Sequence, residues 1–124
     1  MKVEEIYKIY TTIEKLLDAP DIKLDTRLKF RFLTIMKNLE PVADSIDTLR
    51  DDKIREYGTR DDSGTFSISK SDTKAVEMLQ KDMQELFSTD MDISIPKLDA
   101  EELFSTAIPS ACLLALYSII QESR

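Results

Sequence analysis

The chain has no histidine, no tryptophan, one cysteine and two glycines in 124 residues. Without histidine, the commonest general base and the commonest transition-metal ligand are both missing. No Ser-His-Asp or Cys-His arrangement can be built, so the sequence reads as that of a protein that is not an enzyme. The lone cysteine, Cys112, allows no internal disulfide, and nothing marks an oxidised, secreted scaffold. Cys112 also lies within an apolar run, where a thiol behaves as a small hydrophobe. Long apolar runs are lacking as well. The longest, "ACLLALYSII" at residues 111–120, is about half of the roughly 20 residues needed to cross a bilayer. "MKVEEIYKIY" puts two glutamates where an export signal carries its apolar segment. A cytoplasmic protein without membrane contact is expected.

Positive charge is the scarcer sign. Seventeen Lys and Arg face 24 Asp and Glu, giving a net charge of −7 and a pI near 4.6. Direct binding to nucleic-acid phosphates is therefore not expected. The imbalance is uneven: residues 1–39 hold eight basic and six acidic side chains, whereas residues 40–124 hold nine and eighteen. That polarity suits head-to-tail association or an acidic face for a basic partner. It equally suits a solvated, soluble surface.

Hydrophobic residues make up 42% and charged residues 33% of the chain, the balance of a soluble globular protein. One domain over residues 1–124 is expected, with a core that needs no staples. Val3, Ile6, Tyr10, Ile13 and Leu17 recur at steps of three and four, predicting an amphipathic helix over 2–18 that Pro20 ends. Asp25 is a candidate N-cap for the longest feature, in which Leu28, Phe32, Ile35, Leu39, Val42, Ile46 and Leu49 share a face. That stripe runs through Pro41, which predicts either a kinked helix or two closely abutting ones. Ser71 or Asp72 opens a third helix with Val76, Leu79, Met83, Leu86 and Phe87 on one face. "MDISIPKL" alternates and predicts a short edge strand, and Asp99 with Glu102 forms a candidate capping box.

Both glycines fall in "EYGTRDDSGTFSIS", residues 56–69. Gly58 stands where a helix end favours a left-handed residue, "DDSG" is a tight-turn sequence, and "TFSIS" alternates as a half-buried strand. Its partner is expected in "DISIP", or else in "EYGTR" as a hairpin. The fold class is thus mainly α (α+β). Four to five helices surround one core, with a small two- or three-stranded antiparallel sheet from residues near 57–69 and 92–97.

Few residues carry chemistry. Asp61/Asp62 and Asp90/Asp92 could each lend oxygens to a divalent cation, but adjacent carboxylates are commonplace among 24 of them. The glycine turn lacks the closing glutamate of an EF-hand and the Gly-Lys-Ser/Thr of a P-loop. No metal or cofactor is expected. "RLKFRF" interleaves Arg27, Lys29 and Arg31 with Phe30 and Phe32, as single-strand binders do. On a helix, however, Phe32 joins the core stripe and the arginines share a solvated face, leaving Phe30 off the stripe as a candidate partner contact. Pro109 opens a last helix that is apolar on nearly every side. It belongs either to the core or against another chain, with Leu113, Leu116, Tyr117 and Ile120 as the interface.

The run "IKLDTRLKFRFLTIMKNLEPVADSIDTLRDDKIREYG", then "DDSGTFSIS", a helix and "ISIPKLDAEEL" resembles a family of small uncharacterised proteins of tailed phages and prophages of Gram-positive bacteria. The likeness spans roughly residues 9–105 and is one of element order, without a catalytic signature. It implies a non-enzymatic, phage-type protein working through protein partners or a homo-oligomer, in the host cytoplasm or the virion. One form is a virion-accessory, tail-associated or assembly protein using the apolar last helix. The other is an acidic intracellular inhibitor of a host nucleic-acid-binding or defence protein, akin to an anti-CRISPR, whose complex should weaken with salt. For the first form, Leu113→Asp or Ile120→Asp is expected to leave a folded monomer, whereas outright unfolding would place that helix in the core.

Overall fold

The computed structural model describes residues 1–121 and is mainly α-helical with a little β structure. Helix α1 spans Val3–Asp18 and buries Val3, Ile6, Ile9, Ile13 and Leu16; Tyr10 and Leu17, which the spacing put on this face, lie half-buried at its edge. Its first orphan amide, that of Val3, donates to the Thr89 carbonyl at 2.9 Å, and the amide of Met91 donates to the Met1 carbonyl at 2.8 Å. The start of α1 is thereby tied to a segment almost ninety residues away.

Helix α2 spans Thr26–Tyr57, 32 residues without interruption. Asp25 caps it, its carboxylate accepting from the Leu28 amide at 2.8 Å. The expected break at Pro41 is not found as two abutting helices: the proline lies inside α2. An internal proline costs about 3 kcal/mol. Leu39, Ala43 and Ile46 are buried on either side of it, and burying one Leu or Ile contributes about 1.5–3 kcal/mol. Packing therefore outweighs the missing hydrogen bond. Pro41 itself faces solvent, where water can take the carbonyl it leaves without a donor.

Strands β1 (Thr59–Arg60) and β2 (Phe66–Ser67) form a two-residue antiparallel hairpin after α2. The strand after "DDSG" thus takes the "EYGTR" partner, not "DISIP". Helix α3 (Thr73–Phe87) follows, capped by the Asp72 carboxylate on the Ala75 amide. The strand expected over 92–97 is overturned. That segment alternates as its sequence suggests, with Ile93 and Ile95 inward, but it pairs with no strand. Pro96 has no N–H to offer, and the Ser94 carbonyl is satisfied by the Asn38 side chain of α2 at 2.8 Å. Strand β3 (Leu98–Asp99) lies just beyond and pairs in parallel with β4 (Ile120–Gln121), so this second pair is not antiparallel.

Between β3 and β4 run α4 (Ala100–Phe104), α5 (Ser110–Leu116) and a 3₁₀ turn at Tyr117–Ile119. Asp99 caps α4 through the Glu101 amide at 3.1 Å, while Glu102 reaches across to Arg31 of α2 at 2.8 Å. The main core joins Ile6, Ile9, Ile13 and Leu16 of α1 to Leu28, Phe32, Ile35 and Leu39 of α2. Ile95, Leu98, Leu103, Ile108, Leu116 and Ile119 close over them.

The two glycines serve different ends. Gly64 alone has positive φ, at 88°, and closes the turn from Asp61. Gly58 is extended (φ −91°, ψ −177°), not left-handed as the sequence suggests. It is glycine because a Cβ there would lie 2.4 Å from the Ile54 carbonyl oxygen and 2.5 Å from that of Ser67. At Gly64 a Cβ would meet only the Arg60 side chain, at 3.3 Å. Gly58→Ala is therefore expected to cost more than Gly64→Ala, about 2–4 kcal/mol against about 1–2 kcal/mol. Urea unfolding of the two variants checks the order.

Candidate functional site

The last helix is half core and half surface. It was expected to continue from Pro109 to the end of the apolar run, but α5 has only seven residues before the chain tightens into the 3₁₀ turn. Of the four side chains proposed as an interface there, Leu116 is fully buried in the core. That placement is a correction: α5 packs against α1, so one side of it must supply core residues. Leu113 and Ile120 are half-buried against the same core, as is Cys112. An aspartate at either Leu113 or Ile120 would enter that packing, which makes them poor probes of an interface. Tyr117 stays exposed, at 76%, and Leu114, which the spacing argument passed over, is exposed at 77%. The two lie three residues apart and rim a hollow of about 230 Å³ with Glu5, Lys8, Ala115 and Ser118. That Leu116 is buried against α1 and Leu114 exposed is not readable locally, since it depends on which side of a uniformly apolar helix the fold turns inward.

Phe30 is where the sequence suggests, off the core stripe and 69% exposed. With Arg27, Arg31, Thr34, Ile35, Pro96 and Lys97 it lines an open groove of about 340 Å³. Arg31 is held by Glu102, and the Lys97 ammonium donates to the Ser118 carbonyl at 3.0 Å. Arg27 has no ion-pair partner among the described residues. Phe32 is buried in the core. A second groove of about 310 Å³ lies farther along α2, lined by Val3, Pro41, Val42, Ser45, Ile46, Leu49, Leu86 and Met91.

The polar clusters hold the fold together. Asp61 Oδ1 accepts from the Ser63 amide, the Ser63 hydroxyl and the Thr65 amide, at 2.9, 2.6 and 2.9 Å. These hydrogen bonds, the Ser63 hydroxyl first, hold its carboxyl below the ordinary range. The carboxylate is thus engaged in its own turn. The Asp90 backbone forms an isolated antiparallel bridge with that of Lys2, and among the described residues no group of three or more potential metal ligands converges. Tyr57 donates its hydroxyl to Asp82, and Lys53 lies 3.5 Å from the same carboxylate. The hydrogen bond to Asp82 raises the Tyr57 phenol. A tyrosine used as a base would need the opposite shift, so this trio reads as a clasp between α2 and α3. Tyr7 does similar work: its hydroxyl donates to Asp47 at 3.0 Å, and Arg50 stands 5.5 Å over its ring.

No family model, curated protein or solved structure matches the chain. Among the described residues no helix is long and apolar enough to cross a membrane.

The clasp carries a pH signature. The Asp82 carboxyl is held below its ordinary value of 3.8, first by the Tyr57 hydrogen bond and then by Lys53, while burial opposes. A depressed carboxyl contributes stability above its unfolded pKa and loses it as pH falls through the folded one. The stability gap between wild type and Asp82→Asn is therefore expected to be full at pH 7 and to narrow towards pH 3. Urea unfolding at the two pH values measures it, and a gap of equal size at both would remove the clasp from the account.

Proposed function

We propose that this protein is non-enzymatic and acts through protein–protein contacts, as an assembly or tail-associated virion-accessory protein of the phage type its sequence resembles. The observation that carries this reading is the pair Leu114 and Tyr117, two large apolar side chains left in solvent beside each other on the last helix. They are the two most exposed of the large apolar side chains, and both stand at the rim of one hollow. Exposed apolar clusters rimmed by polar groups are where partners dock. The lack of histidine and the structural engagement of Asp61, Tyr57 and Asp82 support the non-enzymatic part. The element order quoted above supports the phage-type part. The contact is made in the host cytoplasm or within the virion, by a protein partner or by another copy.

A second reading rests on a different surface. Glu40, Asp44, Asp47 and Asp51 follow one another at steps of three and four along the exposed side of α2. With Glu14 of α1, the first three add to burial in raising the Tyr10 phenol, which marks a local concentration of negative charge. Such a stripe suits a basic groove on a host nucleic-acid-binding or defence protein, with the chain acting as its inhibitor.

A tagged pull-down from infected host lysate, read by mass spectrometry at low and high salt, separates the two. The first reading expects virion or assembly proteins that survive high salt and are lost from the Leu114→Asp/Tyr117→Asp variant, which should fold as wild type. Recovery of one host nucleic-acid-binding protein that salt removes, indifferent to that variant, would replace it with the second.

A further inference from the structure

The outer face of α2 holds a pattern that the last helix does not explain. Arg27, Phe30, Thr34, Asn38, Pro41, Ser45, Leu49 and Asp52 follow one another at steps of three and four, and all eight are exposed. They form one stripe about 37 Å long. Both α2 grooves open on it, the first around Phe30 and the second around Leu49. Segment 91–97 runs beside the stripe as a wall: Met91 lines the second groove, Ser94 is bound by Asn38, and Pro96 and Lys97 line the first.

The two ends of this face differ in shape and in the charge that closes each of them, Arg27 at one and Asp52 at the other. The end nearer the start of α2 carries Arg27, Arg31 and Lys97 around a protruding aromatic ring. The far end is an apolar cleft with Asp52 one turn beyond Leu49; around Met91 the carboxylates of Asp90 and Asp92 are offset by the Met1 ammonium, which donates to the Met91 carbonyl at 3.0 Å, and by Lys2, which donates to the Ser88 carbonyl at 3.2 Å. The middle is small. Its hydroxyls are already satisfied: Thr34 donates to the Phe30 carbonyl at 2.9 Å and Ser45 to the Pro41 carbonyl at 2.8 Å. Asn38 donates to Ser94. Covering this middle would strand none of these donors, so its desolvation is inexpensive.

We propose that this stripe is the interface of a two-fold symmetric dimer in which two α2 helices pack antiparallel. A two-fold interface must be self-complementary, each patch meeting its counterpart twice. With the axis passing between Asn38 and Pro41, Arg27 of one copy faces Asp52 of the other. Phe30 faces Leu49, Thr34 faces Ser45, and Asn38 faces Pro41. Each Phe30 ring enters the other copy's cleft between Val42, Leu49, Leu86 and Met91. At about 310 Å³ that cleft exceeds the roughly 150 Å³ that accommodates benzene in a protein interior. The second copy is favoured over an unrelated partner because Arg27 faces Asp52 and ring faces cleft at both ends at once.

Sedimentation equilibrium of the full chain over a range of concentrations tests this. A dimer is expected, weakened about tenfold or more by Phe30→Asp, with the circular-dichroism melt unchanged because that ring is exposed. Arg27→Glu and Asp52→Arg should each weaken it, and the Arg27→Glu/Asp52→Arg double variant should recover most of the affinity. A chain monomeric throughout overturns the proposal, as does a dimer indifferent to Phe30→Asp or a double variant no tighter than the singles. A dimer lost with Leu114→Asp/Tyr117→Asp but kept with Phe30→Asp also overturns it, while leaving the last-helix contact standing.

Discussion

The packing of α1 along the inner side of α2 is the contact on which the rest of the structure depends. Ile6, Ile9, Ile13 and Leu16 meet Leu28, Phe32, Ile35 and Leu39, and all eight are essentially removed from solvent. At about 1.5–3 kcal/mol for each fully buried aliphatic or phenyl side chain, this layer is the largest favourable contribution in the molecule. The later elements are short and close over it. The seven residues of α5 and five of α4 are too few to hold a helix alone. They persist because Leu103, Ile108, Leu116 and Ile119 complete the α1–α2 layer. Helix α3 instead packs on the far half of α2, held through the polar clasp of Tyr57, Asp82 and Lys53.

What the sequence disclosed follows from the range of the forces involved. The caps at Asp25 and Asp72 are local, a carboxylate meeting amides three residues on, and they can be read from a few letters. So can most of the inward faces of α1 and α2, because helical spacing fixes which side chains share a side, although Ile9, Leu16 and Ala43 are buried where the stripes named Tyr10, Leu17 and Val42, and Leu49 is exposed. The strand expected at 92–97 shows the limit. Its alternation describes burial correctly, yet a strand also needs a neighbour, and α2 fills that role through one asparagine. Gly58 is similar. Its position after α2 suggested a left-handed cap, but the constraint is the close approach of the Ser67 carbonyl from across the hairpin. At the candidate site, Phe30 was legible because it breaks a periodic stripe. Leu114 and Leu116 were not, since every side of their helix is apolar and only the docking against α1 separates them.

The continuity of α2 through Pro41 joins the fold to its outer surface. A proline at that point commonly ends a helix, which would separate the Arg27 and Phe30 half of the exposed stripe from the cleft-bearing half. Because Leu39, Ala43 and Ile46 hold both halves on one core, the halves stay on one continuous helix. Proline also removes a polar N–H from the midpoint of that stripe and presents a flat apolar ring in its place. The feature that looks like a fault in the helix thus leaves the middle of the stripe smooth and the ends in phase. A surface whose two ends complement one another gains from lying on one unbroken helix, and α1 packed along the inner side of α2 helps to keep it so.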